Sequence, residues 1–303
     1  MARAPVIALF GPTGVGKTEV AIALADALRE LGERPLAVSA DALQVYAGLR
    51  VLTGTATADQ RARLEHRLVG FVPIHETFSA GRYAQLAHAE IDEALAGGQR
   101  PIVVGGTGLY LRAALTELEL RPPPGPGVRE RWSRRMAERG PLELHAELAR
   151  RAPRAAEAIA PTDRQRIVRA LELDEMGELH DRDGDNELWT TSTRVPTFLA
   201  GLVMDRDALY RRIDARAEAM VAAGAREEVL AAAADASPTA RRALGFEELL
   251  AGDVAGMQRR TRNYARRQLT WMRKLAGVAV IDVTGRQPTD VAGELLDRWR
   301  ATG

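Results

Sequence analysis

The stretch Val6-Ile-Ala-Leu-Phe10-Gly-Pro-Thr-Gly-Val-Gly-Lys17-Thr18 decides the fold of this 303-residue chain. Its five apolar residues have the composition of a buried strand. They run directly into the pattern G-x-x-x-x-G-K-[ST], a loop whose backbone N–H groups cradle phosphate oxygens before a helix adds its positive end. In that pattern the Lys supplies a point charge and the Thr hydroxyl is a ligand for Mg²⁺. The sequence therefore predicts a polyphosphate site formed by Gly11, Pro12, Thr13, Gly14, Val15, Gly16, Lys17 and Thr18.

Further strands and helices alternate with this first unit. Aliphatic and β-branched runs at residues 36–39, 102–104, 198–203 and 278–283 are typical of buried strands. Helical patterns cover residues 17–31 and 80–95, and the second is preceded by the capping residue Ser79. This alternation predicts an α/β fold, a P-loop parallel sheet with helices on both faces.

The alternation stops between residues 121 and 196, where a Pro- and Gly-rich linker at 122–127 precedes helical segments without strands. Those segments are 128–139, 141–151 and 163–176, and the polar stretch 181–187 follows as a predicted loop tip. We therefore expect a P-loop α/β core at 1–120 and 190–303, which includes a C-terminal basic helix, and an all-helical insertion domain at 121–189.

Composition excludes several kinds of site. The chain has no cysteine, which rules out disulfides, thiolate zinc sites and cysteine nucleophiles and fits a reducing cytoplasm. No apolar run approaches the roughly 20 residues that cross a bilayer, so no membrane contact is expected. The histidines lack the spacing of metal ligands. Nothing in the sequence demands more than a monomer.

The strand predicted at 102–104 ends in Gly105-Gly-Thr-Gly108 without a carboxylate. A nucleoside triphosphatase normally carries an acidic residue there to hold the Mg²⁺ shell. Its absence disfavours motor or switch activity. A group transfer in which the phosphate loop grips a diphosphate fits better.

Asp41 follows the strand predicted at 36–39, at the sheet edge where open α/β proteins bind ligands. A carboxylate beside a phosphate loop accepts a proton from an attacking nucleophile or helps to hold a metal. An aspartate at this position also serves as a helix cap. Position alone leaves both interpretations open.

Residues 259–274 carry six Arg and one Lys without an acidic residue. At helical spacing, Arg260, Tyr264, Arg267, Trp271 and Lys274 lie nearly opposite an apolar face. A cationic stripe with interleaved aromatic rings neutralises phosphates and stacks on bases, which favours a polyanion surface over an ordinary solvated helix.

Several segments, in order and over nearly the whole chain, resemble the tRNA dimethylallyltransferase (isopentenyltransferase) family. The matching segments are 11–18, 41–46 (Asp-Ala-Leu-Gln-Val-Tyr), 54–56 (Gly-Thr-Ala), 104–110, 163–172, 243–246 (Ala-Leu-Gly-Phe) and 261–271 (Thr-Arg-Asn-Tyr-Ala-Arg-Arg-Gln-Leu-Thr-Trp).

The resemblance implies a cytoplasmic, Mg²⁺-dependent enzyme that takes dimethylallyl diphosphate. It would alkylate the exocyclic amine of the adenine 3′ of the anticodon in tRNA and release diphosphate. The phosphate loop would hold the donor, Asp41 would be the base, and Lys17, Thr18 and Thr107 would complete the catalytic set. With the basic helix, the expected contacts to the anticodon stem-loop are Asp41, Ala42, Leu43, Gln44, Thr107, Arg129, Gln165, Arg166, Ile167, Val168, Arg169, Arg242, Gly245, Phe246, Arg267 and Trp271.

The chain departs from the family pattern at a few positions. Ala42 replaces a usual hydroxyl, Thr57 a usual Lys, Glu65 one of a His pair, and Glu247 a common basic residue. These positions concern base and stem recognition more than the phosphate loop.

Two other functions are compatible with a phosphate loop of this kind. An isopentenyltransferase acting on free adenine nucleotides would have a similar phosphate loop, but the insertion and the basic helix argue against it. A P-loop nucleotide kinase or ATP-driven RNA-binding protein would hydrolyse or transfer the phosphates of ATP without an isoprenoid donor.

Overall fold

A computed structural model describes residues 4–118, 120–179 and 187–302. By its internal contacts the chain divides into two compact units. The first unit comprises Met1–Leu118 and Glu187–Gly303, and the second comprises Glu119–Asn186.

The first unit is built on one six-stranded sheet in which every pairing is parallel. This confirms the predicted α/β fold. The strands are β1 (Val6–Phe10), β2 (Pro35–Ser39), β3 (His66–Arg67), β4 (Arg100–Gly105), β5 (Thr197–Val203) and β6 (Ala279–Asp282), in the spatial order β3-β2-β4-β1-β5-β6.

Two strands differ from the sequence predictions. Strand β3 was not predicted, because two residues at a sheet edge are too few to show a periodic pattern. The run at 278–283 was predicted as a buried strand, but β6 is the opposite edge of the sheet and Val280 is 51% exposed. Burial at this strand was therefore predicted wrongly, since an edge strand is covered on fewer sides.

Twelve α-helices accompany the strands in the described residues, none of them long and apolar enough to cross a bilayer. They are α1 (Lys17–Glu30), α2 (Ala58–Arg63), α3 (Ala80–Ala96), α4 (Gly108–Leu115), α5 (Val128–Arg151), α6 (Pro153–Glu157), α7 (Arg164–Glu175), α8 (Arg206–Ala222), α9 (Ala225–Ala232), α10 (Phe246–Leu250), α11 (Val254–Met272) and α12 (Pro288–Arg300).

Both faces of the sheet are covered. Alternate residues of a strand point to opposite faces, and Ile7 and Leu9 of β1 pack with residues of α1 and α12 in one core cluster. Ala8 and Phe10 are fully buried as well, so the other face is also packed. Ser79 caps α3 through a hydrogen bond from Arg82 N at 3.2 Å, as predicted.

The second unit is a small helical body formed by α5, α6 and α7. Gly140, at φ +78°, divides α5 into the two helical segments that the sequence predicted. The unit has its own apolar core, which includes Trp132, Leu144, Leu148 and Ile167. Of the predicted loop tip at 181–187, residues 181–186 lie outside the described part of the chain.

Candidate active site

The phosphate loop connects β1 to α1 at the carboxyl edge of the sheet. Gly14 and Gly16 have φ values of +83° and +100°, which residues with side chains rarely adopt. Gly16 is the N-cap of α1, so the loop opens on the positive end of a 14-residue helix. The ammonium of Lys17 folds back and donates to the carbonyl oxygens of Gly11 and Pro12, both at 2.9 Å.

Burial governs the ionisation of Lys17. Removal of the ammonium from water lowers its pKa to about 8, an effect that the charge of Asp41 partly opposes and the charge of Arg216 reinforces. An anionic ligand therefore stabilises the charged form of Lys17 more than that of a fully solvated lysine. The charge of the ligand offsets the cost of removing the ammonium from water.

Asp41 follows β2 and begins a turn. Its Oδ1 accepts hydrogen bonds from Leu43 N at 2.9 Å and Gln44 N at 3.3 Å. No other described group donates to the carboxylate, so Oδ2 has no hydrogen-bond partner in the described residues, and Asp41 lines the cavity described below. The capping role and the base role, which the sequence left open, are therefore compatible: one oxygen fixes the backbone and the second is available for a proton.

Thr107 lies beside Asp41 at the turn after β4. It is the N-cap of α4, yet its hydroxyl makes no capping bond. The hydroxyl instead accepts a hydrogen bond from Ala42 N at 3.2 Å and lies 3.3 Å from the phenol of Tyr264 on α11. Thr107, which follows β4, thus contacts both the turn after β2 and the basic helix α11.

The Tyr264 phenol is held in its neutral form. Burial raises its pKa to about 12, and the charge of Asp41 acts in the same direction, while hydrogen bonds with Thr107 and Gln268 oppose the shift. A neutral phenol is both a hydrogen-bond donor and an acceptor. Tyr264 was predicted on an outward stripe, but the structure directs it into the site.

Two arginines of α8 complete the cationic side of the site. Burial lowers the pKa of Arg216, while the charges of Glu19 and Asp41 oppose that shift. Its guanidinium lies against Gly54, and the Arg212 guanidinium lies near Gly16. Sequence reasoning missed both residues because single arginines carry little weight in an Arg-rich chain. Their i, i+4 spacing, beside Ile213 and Ala217 on the same helical face, was the available signal.

Of these groups, Lys17, Asp41, Arg212, Arg216 and Tyr264 line one cavity of about 780 Å³. Its polar part includes Lys17, Thr18, Asp41 and Arg216. Its apolar part is formed by the side chains of Leu52, Ala56, Ile213, Ala217, Met220, Leu244 and Met257. The lining of the cavity therefore combines anion-binding groups, apolar side chains and a carboxylate.

The arginines of α11 are divided between ion pairs and solvent. Arg259, Arg260 and Arg262 pair with acids outside the basic stretch: Asp253 at 3.4 Å, Glu248 at 2.9 Å and Asp214 at 2.7 Å respectively. Arg267 is exposed and its guanidinium lies 5.5 Å from the centre of the Tyr264 ring. Within the predicted stripe, Arg267 and Lys274 are thus exposed, whereas Arg260 is paired with an acid.

Trp271 was predicted to contact tRNA, and the structure gives its ring a packing role. The ring lies directly over Gly108, where any side chain would overlap it. Trp189 covers it at a centroid distance of 4.7 Å, and the Lys274 ammonium lies 5.5 Å from the Trp189 ring. Trp271 therefore supports the residue that follows Thr107.

The other predicted tRNA contacts in the first unit fall into two groups. Ala42, Leu43 and Gln44 are half-buried beside the cavity, and the Gln44 amide donates to the carbonyls of Thr53 and Gly54, each at 3.3 Å. Arg242 is exposed, but Gly245 and Phe246 are buried.

Phe246 is fully buried in an apolar cluster with Leu249 and Met257, and Gly245 packs against the Met257 sulfur. We therefore correct the predictions of tRNA contact at Gly245 and Phe246. Apolar burial explains why these residue types occur there.

In the second unit, Arg129 and Arg169 both bind the fully buried carboxylate of Glu172. Arg129 donates to its two oxygens at 2.8 and 2.9 Å, and Arg169 donates at 3.0 Å. Gln165 and Arg166 are exposed and Val168 is half-buried. Ile167 is fully buried in the core, so the prediction that it contacts tRNA is also corrected.

The residues that depart from the family pattern have local partners. Thr57 caps α2 in a capping box with Gln60. Glu65 pairs with Arg67 at 2.9 Å, and Glu247 pairs with Arg241 at 2.9 Å.

Comparison with known proteins identifies the family. The profile of the IPP transferase family matches residues 44–275. A protein of Kineococcus radiotolerans named tRNA dimethylallyltransferase is 39% identical, over 97% of this chain and 96% of its own length. A protein of Thermobifida fusca with the same name is 40% identical, over 89% of this chain and 87% of its own length. The chain belongs to the tRNA dimethylallyltransferase family.

A solved structure agrees with this membership. The full-length tRNA isopentenylpyrophosphate transferase of Bacillus halodurans is 29% identical and covers 98% of this chain and 97% of its own, with a TM-score of 0.69. This dimethylallyltransferase-family chain is therefore a prenyltransferase, and it matches its relatives over nearly its full length.

Proposed function

We propose that this chain transfers the dimethylallyl group of dimethylallyl diphosphate to the exocyclic amine of the adenine 3′ of the anticodon in tRNA. The observation that carries the proposal is the single cavity in which Lys17 and Arg216 adjoin an apolar wall and Asp41. A diphosphate needs the two cations, a five-carbon chain needs the apolar wall, and an amine nucleophile needs a carboxylate that accepts its proton.

The donor is gripped at its diphosphate end. The phosphate loop supplies backbone N–H groups and the helix end, and Lys17, Arg212 and Arg216 supply cationic charge. These groups stabilise the charge that grows on the diphosphate as its bond to the allylic carbon breaks. The apolar wall excludes water, which would otherwise capture the electrophilic carbon.

The acceptor amine attacks the allylic carbon. A nitrogen–carbon bond forms, the carbon–oxygen bond to diphosphate breaks, and the electron pair leaves with the diphosphate. The free Oδ2 of Asp41 accepts the amine proton, while Oδ1 keeps its backbone hydrogen bonds. The hydrogen bond between Thr107 and Tyr264 fixes the Tyr264 phenol at the wall of the cavity.

Mg²⁺ fits this site as a companion of the diphosphate. The described residues contain no group of three acidic or histidine side chains able to cage an ion. Magnesium commonly binds through few protein ligands together with substrate phosphates and water. Thr18, which lines the cavity, is the residue that would hold it, and the ion would supply charge neutralisation of the leaving group.

The tRNA would be recognised by the exposed cations of both units, among them Arg267, Arg242 and Arg166. The protein named tRNA dimethylallyltransferase in Kineococcus radiotolerans supports tRNA as the substrate class. We propose that the enzyme acts as a monomer. We also propose that it is cytoplasmic, a compartment that the absence of cysteine favours.

Mass spectrometry of an anticodon stem-loop after incubation with dimethylallyl diphosphate and Mg²⁺ tests the proposal. We expect one five-carbon unit to be added to the adenine 3′ of the anticodon, and none to a stem-loop with guanine at that position. Efficient modification of AMP or ADP alone would favour a free-nucleotide enzyme. RNA-stimulated release of phosphate from ATP without prenyl transfer would favour an ATPase.

A further inference from the structure

One buried amide ties three separate segments of the active site together. Gln268 on α11 is 4% exposed. Its Oε1 accepts a hydrogen bond from Thr13 N in the phosphate loop at 2.8 Å, and its Nε2 donates to the carbonyl of Gly106 at 2.8 Å. The orientation of the amide is fixed by its partners, since an N–H only donates and a carbonyl oxygen only accepts.

The space between the Gln268 amide and Gly106 is too small for a side chain at position 106. A side chain at Gly106 would overlap Nε2 of Gln268 and approach the carbonyl oxygen of Gly11 to 3.2 Å. Glycine is therefore required at position 106 for the amide to reach the phosphate loop. An asparagine is one methylene shorter and would not span the two partners.

The two hydrogen-bond partners of the Gln268 amide lie in different parts of the active site. Thr13 belongs to the loop that holds the donor. Gly106 immediately precedes Thr107, whose hydroxyl accepts a hydrogen bond from Ala42 N, the residue after Asp41. Tyr264, which contacts Thr107, lies one helical turn before Gln268 on the same helix. One turn of α11 thus contacts both the phosphate loop, through Gln268, and Thr107 beside the Asp41 turn, through Tyr264.

We propose that Gln268 is a positioning residue that sets the phosphate loop relative to Thr107 and Asp41, and so fixes the donor in line with the acceptor. The effect on transfer rests on the proposed function, whereas the effect on the phosphate loop does not. A misplacement of about 1 Å costs up to roughly 10²-fold in rate when the reacting atoms must be aligned.

The test compares Gln268→Met with Gln258→Met, a matched change on the same helix. Gln258 also makes amide hydrogen bonds, to Asp214 O and Glu218, both at 3.3 Å, but away from the phosphate loop. We expect Gln268→Met to weaken the binding of inorganic diphosphate about tenfold and to lower kcat about 10- to 100-fold at saturating substrates, with tRNA affinity unchanged. Gln258→Met should leave all three quantities within about twofold of wild type.

A second variant covers the case in which Gln268→Met fails to fold. In Gln268→Glu, an ionised carboxylate accepts from Thr13 but cannot donate to Gly106, while the protonated acid does both. Burial at position 268 raises the pKa of the introduced carboxyl above the usual value of about 4.3, so the diphosphate affinity relative to wild type should rise as the pH is lowered towards that raised pKa. The ionisable groups of the same site, Lys17, Asp41 and Tyr264, are present in both the wild type and Gln268→Glu. The ratio of the two affinities therefore isolates the effect of position 268.

The outcomes separate the two proposals. Diphosphate binding and kcat equal in Gln268→Met and Gln258→Met, or a pH-independent ratio for a poorly binding Gln268→Glu, would overturn the positioning role. A wild-type protein that binds diphosphate but transfers no prenyl group would overturn the proposed function, while the diphosphate comparison would still decide the role of Gln268.

Discussion

The guanidinium of Arg216 occupies the space that a side chain at Gly54 would fill. A Cβ atom at Gly54 would overlap Nη2 of Arg216 and lie 2.9 Å from its Cζ and from the terminal methyl of Met220. The glycine therefore admits both a cation and an apolar group to the cavity, at the point where its polar and apolar parts meet.

This relationship predicts the effect of Gly54→Ala. The methyl group would displace Arg216, and loss of one charge-stabilising group typically costs about 100-fold in turnover. Gly48→Ala is the matched control, because Gly48 also has a positive φ, +86°, but no neighbour within 4 Å of the added atom. Donor kcat/KM should fall about 100-fold in Gly54→Ala and much less in Gly48→Ala. An equal fall in both would attribute the effect to backbone strain.

Asp41→Asn should abolish most turnover and preserve tRNA binding. The amide oxygen still accepts from Leu43 N and Gln44 N, so the turn survives, but the proton acceptor is lost. Removal of a general base typically costs about 10²-fold or more. Asp205→Asn is a control with the same local bonds, at the start of α8. Single-turnover rates measure the chemical step, and near-normal rates in Asp41→Asn would reject the base assignment.

The pKa of Lys17 predicts a pH dependence of donor binding. Burial lowers that pKa to about 8, so the ligand-free enzyme loses the ammonium as the pH rises through 8. The donor kcat/KM should then fall by up to about tenfold per pH unit above 8. Lys17→Arg stays charged and should show a flatter profile, whatever its absolute activity. Parallel profiles for the two proteins would show that another group titrates.

Glu172→Gln should destabilise the helical unit at residues 119–186. Burial raises the pKa of Glu172, but hydrogen bonds from Arg129 and Arg169 outweigh it and hold the pKa below its usual 4.5. The carboxylate thus stabilises the unit above that pH and loses this effect as the pH falls. The change should cost about 2 kcal/mol, less than a fully buried pair, since Arg129 is half exposed.

Hydrogen exchange of the amides in α5 and α7 measures this loss as a smaller free energy of local opening. Glu143→Gln removes an exposed partner of Arg139 and should leave the opening free energy close to that of the wild type, because exposed ion pairs contribute little to stability. Equal effects from the two variants would mean that the burial of Glu172 carries no special energetic weight.

The sequence predicted the parts of this site whose position follows from the order of strands and loops along the chain. The phosphate loop and Asp41 each follow a strand, so their place at the carboxyl edge was predictable from alternation alone. Gln268 and Arg216 come from distant helices, and their roles depend on tertiary contacts that no local pattern records. Phe246 was misassigned for the same reason, because a motif match does not report burial.

Arg267 and Trp271 both lie on α11, but their different surroundings predict different effects of substitution. Arg267 is exposed, so Arg267→Ala should weaken tRNA binding and reduce the slope of log affinity against log salt by about 1, the loss of one phosphate contact. Trp271 packs on Gly108, so Trp271→Ala should instead lower kcat by loosening Thr107 and leave the salt slope unchanged. Titrations of a stem-loop at several salt concentrations distinguish the two, and a reduced slope in Trp271→Ala would restore the tryptophan to the tRNA surface.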